Sequence, residues 1–228
     1  LDGLGEEARF LWPLNLAMDR SGTVYVGDGY HVLRKVSSKG EVSRVSCKDE
    51  MGRDVIFFSG LSSMVTDDKG NLFITDTNKI KKMTPDGLLT RFVGGDANGR
   101  KDGQGIEARF IGFQSLGGQW MPGKLAIDKA NYLYFADAAN HAIRKISPSG
   151  SVTTIAGKPE GFYFQEYASS TSMDGSANVA SFTDDGIRYE PLTARVDMGT
   201  DALGNVYLQG VRKVTPNGDV STLERGDY

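Results

Sequence analysis

Apolar and polar positions along this chain group into short segments, and no apolar run reaches the length of a membrane-crossing helix. Runs such as Leu125-Ala126-Ile127 are continuously apolar, which suits a short strand buried on both faces. The segments that follow are aromatic-rich or alternating: Thr23-Val24-Tyr25-Val26, Leu72-Phe73-Ile74-Thr75, Tyr132-Leu133-Tyr134-Phe135 and Val206-Tyr207-Leu208. A third segment alternates around a basic pair, as in Val32-Leu33-Arg34-Lys35-Val36, and a fourth is Thr-rich, as in Ser151-Val152-Thr153-Thr154-Ile155. Glycine-containing turns between them predict antiparallel hairpins joined into a four-stranded meander.

The meander occurs four times, and two internal spacings hold in every copy. From Asp19, Asp67, Asp128 and Asp201, a turn residue lies three positions on (Gly22, Gly70, Asn131, Gly204) and an aromatic six positions on (Tyr25, Phe73, Tyr134, Tyr207). A basic pair follows (Arg34-Lys35, Lys81-Lys82, Arg144-Lys145, Arg212-Lys213), and a glycine comes six residues after its first member: Gly40, Gly87, Gly150 and Gly218. Fixed offsets of this kind mark one supersecondary unit copied and stacked. Four-stranded meanders stacked face to face predict an all-β fold, a β-propeller whose four visible blades lie at about residues 8–47, 55–94, 108–157 and 180–224 of a single domain, 1–228. The first basic residue of each pair is expected to pack its stem against the next blade, leaving the second more exposed.

Within the third copy, the segment ADAANHAIRKISPSG, with Asn140-His141-Ala142 at its centre, resembles the Asn-His-Leu signature of the NHL repeat. Asp2 to Phe10 and Asp102 to Phe110, with a degenerate copy from Asp174 to Phe182, resemble the Asp-Gly-x-Gly connectors of bacterial NHL proteins, and Pro13 and Pro122 fit the same pattern. The resemblance implies a six-bladed ring of which four blades are visible here, an extracellular or cell-surface location, and a propeller used as an interaction scaffold. Departures accompany it. Only the third copy spells Asn-His; the others carry Tyr30-His31, Thr77-Asn78 and Gln209-Gly210, and the second copy lacks an Asp-Gly connector.

A 39% hydrophobic composition with 29 glycines suits an all-β domain with a continuous core. The net charge of −3 supplies no global pull toward nucleic acid or an anionic membrane, so neither nucleic-acid binding nor membrane insertion is expected. The lone Cys47 excludes an internal disulfide and a cysteine-cluster metal site.

Strand direction alternates within a blade, so the turn between the second and third strands emerges on the same face as the connector to the next blade. That geometry gathers Asp28 with His31, Asp76 with Thr77 and Asn78, and Asp137 with Asn140 and His141 as candidate ligand-binding positions. The longest connector adds Phe162, Tyr163, Phe164 and Tyr167, either a stacking platform or a satellite core, and Trp120 joins the candidates from the second long connector. Packing beneath the connectors is the competing role for Trp12 and Trp120. Turn-capping is the competing role for the Asp residues and for His141. No cofactor is expected, although carboxylates and carbonyls would accept calcium. Two function classes stay open: a non-enzymatic module binding a protein, peptide or glycan through the connector face, and a metal-dependent lyase or hydrolase with its site in the central channel. Histidine-ligated lyases of similar fold motivate the second, but two histidines are too few to copy such a site.

Overall fold

The computed structural model describes residues 1–29, 32–55, 58, 61–111, 123–137, 140–157, 173–180, 182, 198–208 and 212–223. These residues are strands and turns apart from the short 3-10 turns Gly5–Glu7 and Gly105–Glu107. The chain divides into two compact units, residues 1–113 and 114–228. Each unit holds two antiparallel four-stranded blades.

In the first unit, blade one consists of Pro13–Met18, Val24–Asp28, Val32–Val36 and Glu41–Arg44, with Gly3–Leu4 paired alongside the fourth strand. Blade two consists of Leu61–Thr66, Leu72–Asp76, Lys79–Met83 and Leu89–Val93. In the second unit, blade three is built from Leu125–Ile127, Leu133–Asp137, Ala142–Ile146 and Ser151–Ala156, and blade four from Met198–Thr200, Val206–Leu208, Arg212–Val214 and Val220–Thr222. Spatial order follows chain order in each, so all four are meanders. These are the blades of a β-propeller, and their strands fall where the apolar pattern puts them.

Both spacing rules have a backbone cause. The repeat-opening aspartates each fold the turn behind them: the Oδ1 of Asp19, Asp67, Asp128 and Asp201 accepts the amides two and four residues on, at 2.8 to 3.0 Å. The residue three positions on then lies in the left-handed region, with φ of 83° at Gly22, 79° at Gly70, 63° at Asn131 and 80° at Gly204. Glycine or asparagine is the residue that tolerates it. The later glycine closes the turn between the third and fourth strands at φ of 80° to 91° in Gly40, Gly87, Gly150 and Gly218.

Within a unit the blades pack sheet on sheet. Ala17, Tyr25 and Leu33 on the trailing face of blade one meet Met64, Leu72, Ile74, Met83 and Leu89 on the leading face of blade two. Tyr134, Ala136 and Ile143 of blade three meet Val206, Leu208, Val214 and Val220 of blade four. Each fully buried aliphatic side chain contributes about 1.5–3 kcal/mol. A polar link accompanies both contacts: Thr66 donates its hydroxyl to the Met18 carbonyl at 2.6 Å, and Thr200 donates to the Ile127 carbonyl at 2.7 Å.

Candidate functional site

The first basic residue of each pair anchors the turn face. Arg34 is buried in blade one, and its guanidinium gives Nη2 to Asp2 Oδ1 and the Leu1 carbonyl, and Nη1 to the Arg9 carbonyl, each at 2.6 Å. The Phe10 ring lies 4.7 Å beneath it, and Asp28 Oδ2 stands 3.4 Å from Nη1. Asp2 also accepts the Arg44 amide at 3.1 Å, and this bond, followed by the Arg34 contact, lowers its pKa. Blade four repeats the device with Arg212: Asp174 at 3.2 Å, the Met173 carbonyl at 3.0 Å and the Phe182 ring at 5.5 Å. The Asp-Gly connector is therefore a strap whose acid, carbonyl and aromatic ring surround a guanidinium. The first basic residue faces this strap, not the next blade as its stem length suggested. A buried cation needs carboxylates and carbonyls around it, and the connector carries them.

Blade two shows what replaces the strap. The hairpin Cys47–Lys48/Asp54–Val55 occupies the interval between blades one and two, with Lys48 donating its amide to the Gly87 carbonyl. Lysine stands in for arginine: Lys81 Nζ lies 2.5 Å from Asp76 Oδ2 and 5.7 Å above the Phe58 ring.

The aspartates that end the second strands are engaged in the same way. Asp28 Oδ1 accepts the Leu11 and Trp12 amides, both at 2.7 Å, so it caps the entrance to the first strand as well as facing Arg34. Asp76 pairs with Lys81 across a turn of Thr77 and Asn78, where Thr77 takes φ of 60° and Asn78 donates to the Asp96 carbonyl at 3.2 Å. Asp96 in turn pairs with Arg91 and Lys79, and those contacts depress its pKa in that order. Asp137 is buried with Arg144, Oδ2 to Nη1 at 2.8 Å, their side chains 1% and 0% exposed, and the same oxygen accepts Asn140 Nδ2 at 2.8 Å. These carboxylates hold turns and cations in place, a wider reach than the local capping expected for them.

No family model matches the chain. It is 37% identical over 115 residues to NHL repeat-containing protein 2 of Gallus gallus, a match that takes in 48% of this chain and 14% of that protein. Among solved structures, a structural-genomics protein of unknown function from Bacteroides thetaiotaomicron superposes with a TM-score of 0.61 at 20% identity, over 90% of this chain and 45% of that one. These matches support a likeness to NHL-repeat β-propellers. A candidate gluconolactonase superposes at 0.51 and 15% identity, over 92% of this chain and 62% of its own. At such identities the likeness is one of fold. This chain thus spans less than two thirds of each of these proteins.

The NHL signature residues divide their work in blade three. Asn140 is buried on Asp137, whereas His141 is exposed and takes φ of 49° at the end of the turn, leaving its imidazole at the surface. Candidates His31, Trp120, Phe162, Tyr163, Phe164 and Tyr167 lie outside the described residues. Among the described residues no three His, Cys, Asp or Glu side chains gather as a metal site would require, and no helix is long and apolar enough to cross a membrane. Sequence reasoning missed Leu11 and Trp12. Expected to be packed away, Trp12 is 63% exposed and Leu11 87%, directly beside the Asp28 carboxylate that holds both their amides.

The repeat-opening aspartates yield a pH prediction. The Asn205 side chain, with its amide, the Tyr207 hydroxyl and the Leu203 amide, holds the Asp201 carboxyl down to about 2 against burial that would raise it. A depressed carboxyl stabilises the fold above its unfolded value of 3.8, and that contribution fades as pH falls toward about 2. Carbon-detected NMR of Asp201 is expected to titrate near 2, and Asn205→Ala is expected to move the midpoint upward. A midpoint near 3.8 in the unaltered protein would show that the turn does not select the ionised form.

Proposed function

We propose that this propeller is a non-enzymatic binding module whose second-to-third-strand turn face takes a protein, peptide or glycan, with Leu11 and Trp12 as the apolar anchor in blade one. The observation that supports this most is the exposure of Trp12 on a backbone fixed by two 2.7 Å bonds to Asp28. An indole held on a rigid backbone presents a large surface at low entropic cost, and such residues dominate binding energies. The neighbouring carboxylate is occupied by amides and Arg34, which suits a fixed platform better than proton transfer. At the corresponding turn of blade three, in the other unit, the exposed His141 offers a polar contact of its own. An extracellular or cell-surface location, expected from the connector resemblance, is part of this proposal.

The test is to screen the protein against a glycan array and a peptide display library, then remeasure each hit with Trp12→Ala. Loss of about tenfold or more in affinity, the level that marks an anchoring contact, is expected. Hits that bind the variant as tightly as the parent would remove Trp12 from the site.

A further inference from the structure

Blade two treats its outer edge unlike blades one and four. In blade one Gly3–Leu4 pairs antiparallel with Glu41 and Val42, and Asp2 Oδ2 accepts the Arg44 amide at 3.1 Å. In blade four Gly175 exchanges backbone bonds of 2.9 and 2.8 Å with Val220, and Asp174 accepts the Thr222 amide at 2.8 Å and its hydroxyl at 2.9 Å. One pattern serves both. The glycine of the Asp-Gly pair adds to the fourth strand, while its aspartate takes an outward amide and reaches the buried guanidinium of Arg34 or Arg212. Those amides belong to the residue standing opposite that arginine in the ladder.

Arg91 is the corresponding residue of blade two, standing opposite Lys81. No Asp-Gly connector precedes this blade. The hairpin Cys47–Lys48/Asp54–Val55 reaches only the start of the fourth strand, where Lys48 bridges Leu88 and donates its amide to the Gly87 carbonyl at 2.9 Å. Among the described residues no strand lies outside Leu89–Val93, and the outward amide of Arg91 meets no carboxylate. The cation beside it is more open too. Lys81 keeps 26% of its side chain in solvent and pairs with Asp76, whereas Arg34, 5% exposed, meets both Asp2 and Asp28. Lys48 and Arg91 add positive charge along this rim; their own pairs, with Asp54 at 3.8 Å and Asp96 at 3.0 Å, are exposed ones that contribute little.

We infer that the outer edge of blade two binds an extended, aspartate-bearing peptide segment of a partner protein. The peptide aspartate takes the place that Asp2 and Asp174 take in their own blades, with its carboxylate on the Arg91 amide and facing Lys81. Its main chain lies along the fourth strand, the mode by which exposed sheet edges accept a peptide. The Asp-Gly connectors are the template. Blades one and four close this edge with their own chain, and in blade two a carboxylate matched to a part-exposed lysine closes it from outside. The site is separate from the Trp12 platform and does not rest on it.

The probe is a fluorescein-labelled peptide with the sequence of residues 1–10, the connector of blade one, beside the same peptide carrying Asp2→Asn. Fluorescence anisotropy with the 228-residue protein is expected to show saturable binding of the first peptide. The second is expected to bind about tenfold or more weakly, the loss of one charge-assisted bond. Arg91→Pro removes the outward amide at an edge position that tolerates proline, and is expected to weaken binding to the same degree. Arg91→Ala keeps that amide and is expected to bind like the parent, with circular dichroism confirming that both variants are folded. Amide NMR shifts are expected at Lys81 and along Leu89–Val93. Trp12→Ala is expected to leave peptide binding unchanged, so failure here and failure of the Trp12 reading are told apart. Equal affinity for the two peptides, full binding by Arg91→Pro, or no saturable binding would overturn the inference. Shifts confined to Glu41–Arg44 would also overturn it, because the peptide would then be replacing the resident connector.

Discussion

Replacing Arg144 with methionine is expected to cost the folded protein about 3–5 kcal/mol, the range for a buried ion pair deprived of one partner. The pair is closed to solvent, with the Arg144 side chain 0% and the Asp137 side chain 1% exposed. Methionine fills much of the arginine volume and so isolates the electrostatic loss from a cavity. The Asp137 carboxylate keeps Asn140 as a donor but loses its 2.8 Å cation. Replacing both partners, Arg144→Met with Asp137→Leu, is expected to recover a large part of the loss, because no buried charge is then left uncompensated. Urea unfolding followed by tryptophan fluorescence measures both. A single variant as stable as the parent would show that the pair contributes nothing beyond volume.

Gly218→Ala is expected to cost about 2–4 kcal/mol, combining left-handed strain with steric overlap. Gly218 holds φ of 90°, and a Cβ there would overlap the Ile155 carbonyl oxygen and crowd the Ala177 side chain. Gly40 is the internal control. It occupies the same place in blade one at φ of 80°, but a Cβ built on it meets nothing within 4 Å, so Gly40→Ala is expected to cost only about 1 kcal/mol. Thermal unfolding of the two variants side by side checks the ranking. Equal losses would mean that backbone strain alone explains the conservation of this spacing among the four copies.

The blades were legible because their markers are conformational requirements. A glycine three residues after an aspartate is demanded by a left-handed turn that the carboxylate itself folds, so it survives in every copy except where Asn131 can take the same φ. Strand faces were legible through parity, which sets Ala17, Tyr25 and Leu33 against Met64 and Ile74. The strap around Arg34 was not. Its partners Asp2, Leu1 and Arg9 are remote in the chain, and a local pattern shows a long aliphatic stem but not the carboxylate that reaches it. Of the candidate site, Asp137 and Asn140 were named together as ligand-binding positions, and the structure has them bonded to each other within the turn. Trp12 was misassigned for a different reason: an aromatic beside a proline looks the same whether or not a neighbour covers it, and coverage is a property of the face, not of the residue.

The hydroxyl links from Thr66 to the Met18 carbonyl and from Thr200 to the Ile127 carbonyl set the spacing of adjacent blades in backbone coordinates. A repeat stepped in this way decouples pitch from side-chain volume. Within each unit the interior can drift during divergence, exchanging leucine for methionine or valine from copy to copy, while a threonine hydroxyl and a main-chain carbonyl keep the same link. Low identity among superposable propellers is the outcome such a fold permits.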